Sequence, residues 1–242
     1  MNTRTVVEIA VQDAAGARVA VAAGADRVEL CSALEVGGLT ASLGALERVC
    51  EAVGAAYVNV LVRPRPGGFV YTGEEVDVVC RDIRAAAARG VGGVVVGALT
   101  PAGDLDRDTV RRWIDAAGPT PVVFHRAIDA SPDPDRVFDA LVDERIARVL
   151  TSGSAVRSVD GIPRLQGYLA RAGAGLEVMA GGGVRPDDIP ALVAAGVASV
   201  HLSARRRASH GGPSGPGGGD GEGFDVTDPA IVEAAVAAAR AA

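Results

Sequence analysis

A rhythm constrains this chain more than any single residue does. Short Val-rich runs recur about every 28 residues, each followed by an Ala-rich stretch whose apolar residues fall at helical spacing. The runs are Val6–Val11, Arg27–Cys31, Tyr57–Arg63, Gly93–Gly97, Pro121–His125, Arg148–Thr151, Glu177–Ala180 and Ser199–Ser203. The helical stretches are Ala14–Ala23, Leu43–Val53, Val76–Arg89, Thr109–Ala117, Asp135–Val142, Ile162–Ala172, Pro186–Ala195 and Pro229–Ala241. AGADRVEL, ARGVGGVVV and AAGVASVHL repeat one local design, in which a helix stops at Gly and a strand begins. Strands and helices alternating in this way predict an α/β fold of the (β/α)8 TIM-barrel type, a single domain over residues 1–242. A doubly wound sheet would need fewer strands and a Gly-rich turn after the first one. Here the first strand runs into AVQDAAG, and no nucleotide or flavin fingerprint is present.

Arg205–Gly223, RRRASHGGPSGPGGGDGEG, breaks the rhythm between the last strand and the last helix. Its composition cannot pack a core, so a flexible Gly-rich loop is expected. It reads either as a solvated insertion or as a lid on which Arg205, Arg206 and Arg207 attract anions.

Strand parity sorts the polar residues. Glu8, Glu29, Cys31, Arg63, His125, His201 and Ser203 all fall on the inward face of their runs. A lone carboxylate in a barrel core is very costly, whereas one facing Arg63 and a His near the mouth is tolerable. The set is either a structural ion-pair layer or a site, and convergence from several strands favours the site. Chemistry in such barrels sits at the C-terminal ends of the strands. There RPRPGG supplies Arg63 and Arg65, FHRAID supplies His125, Arg126 and Asp129, TSG supplies Ser152, and AGGGV supplies Gly182 and Gly183. Glu8, Glu29, His125 and Asp129 are the candidate acid–base residues. Arg63, Arg65, Arg126, Ser152, Gly182, Gly183, His201 and Ser203 are the candidate holders of an anion.

Composition narrows the chemistry further. All 24 basic residues are Arg, so no side-chain Schiff base can form and no Lys can meet a phosphate. The net charge of −6, with no long basic run, speaks against nucleic acid. No apolar run reaches membrane-spanning length, and the N-terminal stretch lacks a secretory apolar region because Glu8 interrupts it, so the expected location is the cytoplasm. Three cysteines without such a signal argue against a disulfide framework. Cys50 and Cys80 share helical faces with core residues. Cys31 stands alone at a strand end, where a soft ion such as copper(I) could also recruit Met179 or His201, although no CxxC or HxxxH spacing supports it.

GADRVELCSALEVGGLTASLG, VLVRPRPGGFVYT, GPTPVVFHRAID, IARVLTSG, VMAGGGV and VHLSAR, in order from Val7 to about Arg205, resemble the CutC family. The resemblance implies a cytoplasmic (β/α)8 barrel with a role in copper homeostasis, copper(I) binding through cysteine, and assembly as a homodimer or homotetramer. Cys31 matches the family's ELC cysteine, and the positions of Glu8, Glu29, Arg63, His125, Arg126, Asp129 and His201 are kept. Ala10 stands where many relatives have a second cysteine, which removes one thiol of a two-cysteine site. Pro66 and Gly68 also depart from the family's loop, and so does the segment after Arg205. Three functions follow: copper handling at Cys31, acid–base catalysis on a small anionic or phosphorylated molecule, or a binding scaffold without turnover.

Overall fold

A computed structural model describes residues 4–144, 146–173, 175–209 and 223–242. Eight parallel strands close into a barrel in sequence order: β1 (Val6–Val11), β2 (Arg27–Leu30), β3 (Val58–Leu61), β4 (Gly93–Val96), β5 (Val122–Phe124), β6 (Arg148–Thr151), β7 (Glu177–Gly181) and β8 (Ser199–Leu202). Helices α1 (Ala14–Ala22), α2 (Leu43–Val53), α3 (Gly73–Ala87), α4 (Arg107–Ala117), α5 (Pro134–Asp143), α6 (Ile162–Ala172), α7 (Ile189–Ala194) and α8 (Pro229–Ala241) follow the strands in turn. The rhythm of the sequence is therefore a TIM barrel.

Local chemistry sets the boundaries. Asp13 caps α1 by accepting from the Gly16 N–H at 2.7 Å, and Thr72 with Glu75 forms a capping box on α3. Gly24 and Gly196 take φ of +94° and +96° between helix and strand, a conformation that glycine adopts without a Cβ penalty. The expected helix over Pro186–Ala195 starts instead as a 3-10 turn at Pro186–Asp188. Pro190 has no N–H to donate to the Pro186 carbonyl, so the first turn tightens.

Alternation divides the strands between two cores. Val7, Ile9, Val28 and Leu30 face the helices and belong to the large core between sheet and helical ring. Inside the barrel lies a separate apolar plug of Cys31, Leu61, Val95, Val123, Leu150 and Met179. Below it, the first residues of several strands form a polar floor. Arg27 donates to Glu177 at 2.9 Å, Arg148 meets the same carboxylate at 2.8 Å, and Ser199 donates to it at 2.5 Å. Register puts Glu8 beside both Arg27 and His201, and Glu29 beside Ala10 and Asn59.

The segment expected as a loop from Arg205 begins as a strand. β9 (Arg205–Ala208) pairs antiparallel with β10 (Phe224–Thr227). The arginines expected to attract anions are matched with acids: Arg205 donates to Asp225 at 2.6 Å, Arg207 lies 3.7 Å from Asp225, and Arg206 lies 3.8 Å from Asp228. Alternating side chains and a short acidic partner strand suffice for a hairpin where composition alone suggests none. The remainder of the expected loop and lid, 210–222, lies outside the described residues. All three cysteines are free, and no helix among the described residues is long and apolar enough to cross a membrane.

Candidate functional site

The C-terminal ends of the strands open onto a cavity of about 280 Å³. Nine of the residues singled out from the sequence line it: Glu29, Cys31, Arg63, His125, Arg126, Gly182, Gly183, His201 and Ser203. Glu8, Arg65, Asp129 and Ser152 do not, and each has a visible reason.

Arg63 follows β3 and is pinned by the loop after β2. Its backbone N–H donates to Thr40 Oγ1 at 2.9 Å, and Thr40 Oγ1 donates back to the Arg63 carbonyl at 3.1 Å. Its guanidinium donates to the carbonyls of Val36 (3.3 Å), Gly38 (3.2 Å) and Gly67 (2.7 Å), and the Tyr71 hydroxyl lies close by. Phe69 lies 5.2 Å beneath the charge. These partners are neutral. Among the described residues no carboxylate reaches Arg63, its Nε has no hydrogen-bond partner, and the residue is only 7% exposed. A buried cation without a counter-ion is costly unless an anion joins it.

Two carboxylates and one imidazole come together from β1, β2 and β8. Glu8 is fully buried under the cavity, where its carboxylate accepts from Arg27 at 2.6 Å, accepts from Asn59 at 2.6 Å, and meets His201 Nδ1 at 2.8 Å. Burial works to raise its pKa, but the His201 hydrogen bond and the charge of Arg27 outweigh it and hold Glu8 far below the usual carboxylate range. Glu29 faces the cavity. Its nearest charged partner is His201 Nε2 at 3.7 Å, beyond hydrogen-bond distance. Burial, with a smaller push from Glu8, raises its pKa to about 7. Burial pulls His201 down, yet Glu29 and the bond to Glu8 together hold it above its ordinary value. The three groups form a file, Glu8–His201–Glu29, in which a proton can reside at the cavity near neutral pH. Asn59, a ligand of Glu8, was not a sequence candidate, although it shares the inward parity of Arg63.

His125 closes the third side. It follows β5, packs 5.0 Å from the Phe69 ring, and is 7% exposed. Its Nδ1 accepts the Ala127 N–H at 3.1 Å, which leaves the ring proton on Nε2. Nε2 is buried and has no partner among the described residues. Burial first, and then the charge of Arg63, lower its pKa to about 3, so the imidazole is neutral. Gly97 makes room for it: a Cβ there would stand 2.4 Å from His125 Cε1.

The remaining wall is backbone. Gly182 and Gly183 follow β7 with φ of +114° and +63°, and among the described residues their N–H groups donate to nothing. Both line the cavity, where backbone N–H groups can contribute to binding an anion. Arg126 lies against Gly182, with its Nε on Asp129 at 2.9 Å and an Nη on Ser152 at 3.1 Å.

Four expectations need correction. Arg65 turns outward to Glu75 and the carbonyls of Pro66, Gly68 and Val70, so it offers the cavity no charge. Asp129 is saturated by Arg126, Thr151 Oγ1 (2.5 Å), the Ser152 N–H (3.0 Å) and the Ser154 N–H (3.0 Å), and so it organises the loop after β6 rather than transferring protons. Ser152 spends its hydroxyl on the Ala155 carbonyl at 2.7 Å and its N–H on Asp129. Glu8 belongs to the buried support of His201, not to the cavity wall.

The soft donors do not fit a copper(I) centre. The Cys31 thiol is pushed far up by burial and by Glu29, and its Sγ lies 3.7 Å from the Val11 carbonyl, so it stays protonated. Met179 Sδ accepts from Arg27 at 3.3 Å. Both nitrogens of His201 face carboxylates. A metal on His125 Nε2 would displace the proton that the Ala127 contact places there. Among the described residues no group of three or more His, Cys, Asp or Glu is placed to hold a metal.

Comparison with known proteins adds to this geometry. The model of the CutC family matches residues 5–206. A CutC family protein of Xanthomonas campestris pv. campestris strain 8004 is 41% identical over 200 residues, covering 82% of this chain and 83% of that protein. One from Xylella fastidiosa strain Temecula1 is 41% identical over 206 residues, covering 85% of this chain and 77% of the relative. The crystal structure of CutC from Streptococcus agalactiae, a protein named for copper homeostasis, superposes with a TM-score of 0.74 at 28% identity, covering 81% of this chain and 97% of that one.

Proposed function

The chain belongs to the CutC family, and from that premise we propose that it serves copper homeostasis, the role for which its S. agalactiae relative is named, through a cavity that takes a small organic anion and performs acid–base chemistry on it. One observation carries the proposal: Arg63 brings a buried guanidinium to the cavity with neutral partners only. An anion seated there gains charge-assisted bonds from a guanidinium that no carboxylate has claimed, whereas Arg126 is already bound to Asp129. The N–H groups of Gly182 and Gly183 support a second anionic contact. Glu29, poised to gain or lose a proton near pH 7, supports the catalytic half. A volume of about 280 Å³ suits a molecule of a few carbons, at the small end of ligand sites.

Thermal shift with inorganic phosphate and short phosphorylated acids tests this reading. A ligand at 100-fold over its Kd should raise Tm by roughly 5–10 °C for a domain of this size. Arg63→Met should remove that rise. A panel that leaves the wild-type Tm unmoved rejects the anion.

Direct copper(I) binding is the second reading, favoured by the position of Cys31 on the cavity wall. Titration with copper(I) decides it. Stoichiometric binding lost in Cys31→Ser supports cargo binding, and binding unchanged in that variant rejects it. The cytoplasm and a homo-oligomeric state complete the proposal, and size-exclusion chromatography with light scattering checks the second.

A further inference from the structure

We infer that the anion held at the mouth also carries a carbonyl group, that His125 polarises its oxygen from Nε2–H, and that Glu29 removes the proton from the adjacent carbon. This inference rests on the anion site proposed above and assigns that site a substrate class and a reaction class.

The imidazole carries the argument. Its Nδ1 is occupied by the Ala127 N–H at 3.1 Å, so the tautomer is set. The remaining proton, on Nε2, is buried and meets no acceptor among the described residues, although His125 lines the cavity. Buried donors ordinarily have partners, and one left unpaired on a residue that lines a ligand-sized cavity matches an acceptor that arrives with the ligand as the wall adjusts to it. That acceptor is not the anionic group, for which Arg63 and the Gly182–Gly183 amides provide. A neutral imidazole is a weak donor to a ground-state carbonyl and a much better one to an oxygen gaining negative charge, which is where enolisation places it. The ring is also held still. Phe69 and Phe124 lie 5.0 Å and 6.0 Å from it, and the missing side chain of Gly97 leaves the space it fills. A ring packed in this way suits a preorganised donor.

Glu29 supplies the other half. It lines the same cavity, is 5% exposed and makes no hydrogen bond among the described residues, so its carboxylate is open to the ligand. In the step, the C–H bond beside the carbonyl breaks and the proton passes to Glu29. The C–H electron pair becomes the new C=C bond, and the carbonyl π pair moves onto oxygen, which accepts a hydrogen bond from His125 Nε2–H. Return of the proton to the same carbon gives exchange or epimerisation. Where that carbon bears a hydroxyl, the hydroxyl proton passes to the former carbonyl oxygen, the hydroxyl carbon becomes the new carbonyl, and return of the proton from Glu29 to the former carbonyl carbon gives isomerisation. No oxidant or reductant is required.

The test uses the full chain and two probes. Inorganic phosphate reports the anion site alone, whereas 2-phosphoglycolate adds a planar, charged two-oxygen group resembling the enediolate. The expected result is that 2-phosphoglycolate binds about tenfold or more tightly than phosphate. That advantage should vanish in His125→Leu and survive in part in His125→Gln, which keeps an N–H donor. The imidazole ¹⁵N spectrum of the free protein should show an Nε2–H tautomer that does not titrate between pH 5 and 8 and shifts only with 2-phosphoglycolate. In D2O, an α-hydroxy carbonyl phosphate such as dihydroxyacetone phosphate should exchange its carbon-bound proton in the wild type and not in Glu29→Gln. Phosphate binding that depends on Arg63, with no advantage for 2-phosphoglycolate and no His125 shift, would overturn the inference and leave the anion site standing. Failure of both probes to bind would remove both.

Discussion

The two ends of the barrel interior use the same groups in opposite ways. At the floor, Arg27, Arg148, Glu8 and Glu177 are matched cation to anion at 2.6–2.9 Å. At the mouth, Arg63 has only neutral partners, Glu29 has no hydrogen bond among the described residues, and His125 keeps an open donor. Glu8 and Glu29, on neighbouring strands and both buried, show the consequence: the first is held far below the usual carboxylate range and the second rises to about 7. Burial acts on both, and only partners separate them. Charge that is fully compensated holds a structure together, whereas charge left open marks where a ligand completes it.

Removing a floor partner should produce the largest effect. Glu8→Gln leaves Arg27 short of one counter-charge and turns one accepting oxygen into an NH2 that faces donors, either Arg27 and Asn59 or His201, and it should cost about 3–5 kcal/mol of stability. Urea unfolding measures it; a loss below about 1 kcal/mol would mean that the floor is no stronger than a surface pair. The next effect is smaller and has a sign that separates the two acids. Glu8 contributes stability that is present above pH 4.5, its unshifted value, and is lost as pH falls through its lowered folded value. Glu29 does the reverse. The folded protein keeps a proton that the unfolded chain releases above pH 4.5, so stability declines between pH 4.5 and about 7 and then levels. His201, raised from 6.5, adds a contribution that is complete below that value and lost above it. The decline due to Glu29 should approach about 1.4 kcal/mol per pH unit and disappear in Glu29→Gln, as measured by unfolding at pH 5, 6 and 7. The smallest effect should come from Arg65→Ala, which removes a charge already bound to Glu75 outside the cavity. Anion affinity by calorimetry should change less than about twofold there, the scale of a rim charge. A loss as large as that in Arg63→Met would place Arg65 in the site after all.

Much of the barrel was legible from local pattern. Val7, Ile9 and Val11 alternate with Glu8 and Ala10, and period two suffices to sort inward from outward without knowledge of any neighbour. The same parity brings Glu29, Arg63, His125 and His201 to one axis, and Asn59, the partner of Glu8, shares it. Parity ends with the strand. Arg65 stands two residues past Arg63 and was expected beside it, yet Glu75 on the next helix turns it away. Asp129 and Ser152 looked like an acid and an anion ligand because their loops sit at the right end of the barrel, and only their mutual bonds reveal a scaffold. Arg205–Arg207 looked like free cations until Asp225 and Asp228 came alongside in a hairpin.

The sequence by itself determined the (β/α)8 architecture, the inward set of polar side chains and the family, because each depends on periodicity or on the order of local motifs. Tertiary structure alone decided which of those side chains are spent and which are open. That division depends on partners more than a hundred residues apart, such as Arg27 with Glu177 and Glu8 with His201, whose distances arise only when the sheet closes. Whether a buried charge supports or reacts is a property of its neighbours, and neighbours across a barrel have no local signature in the chain.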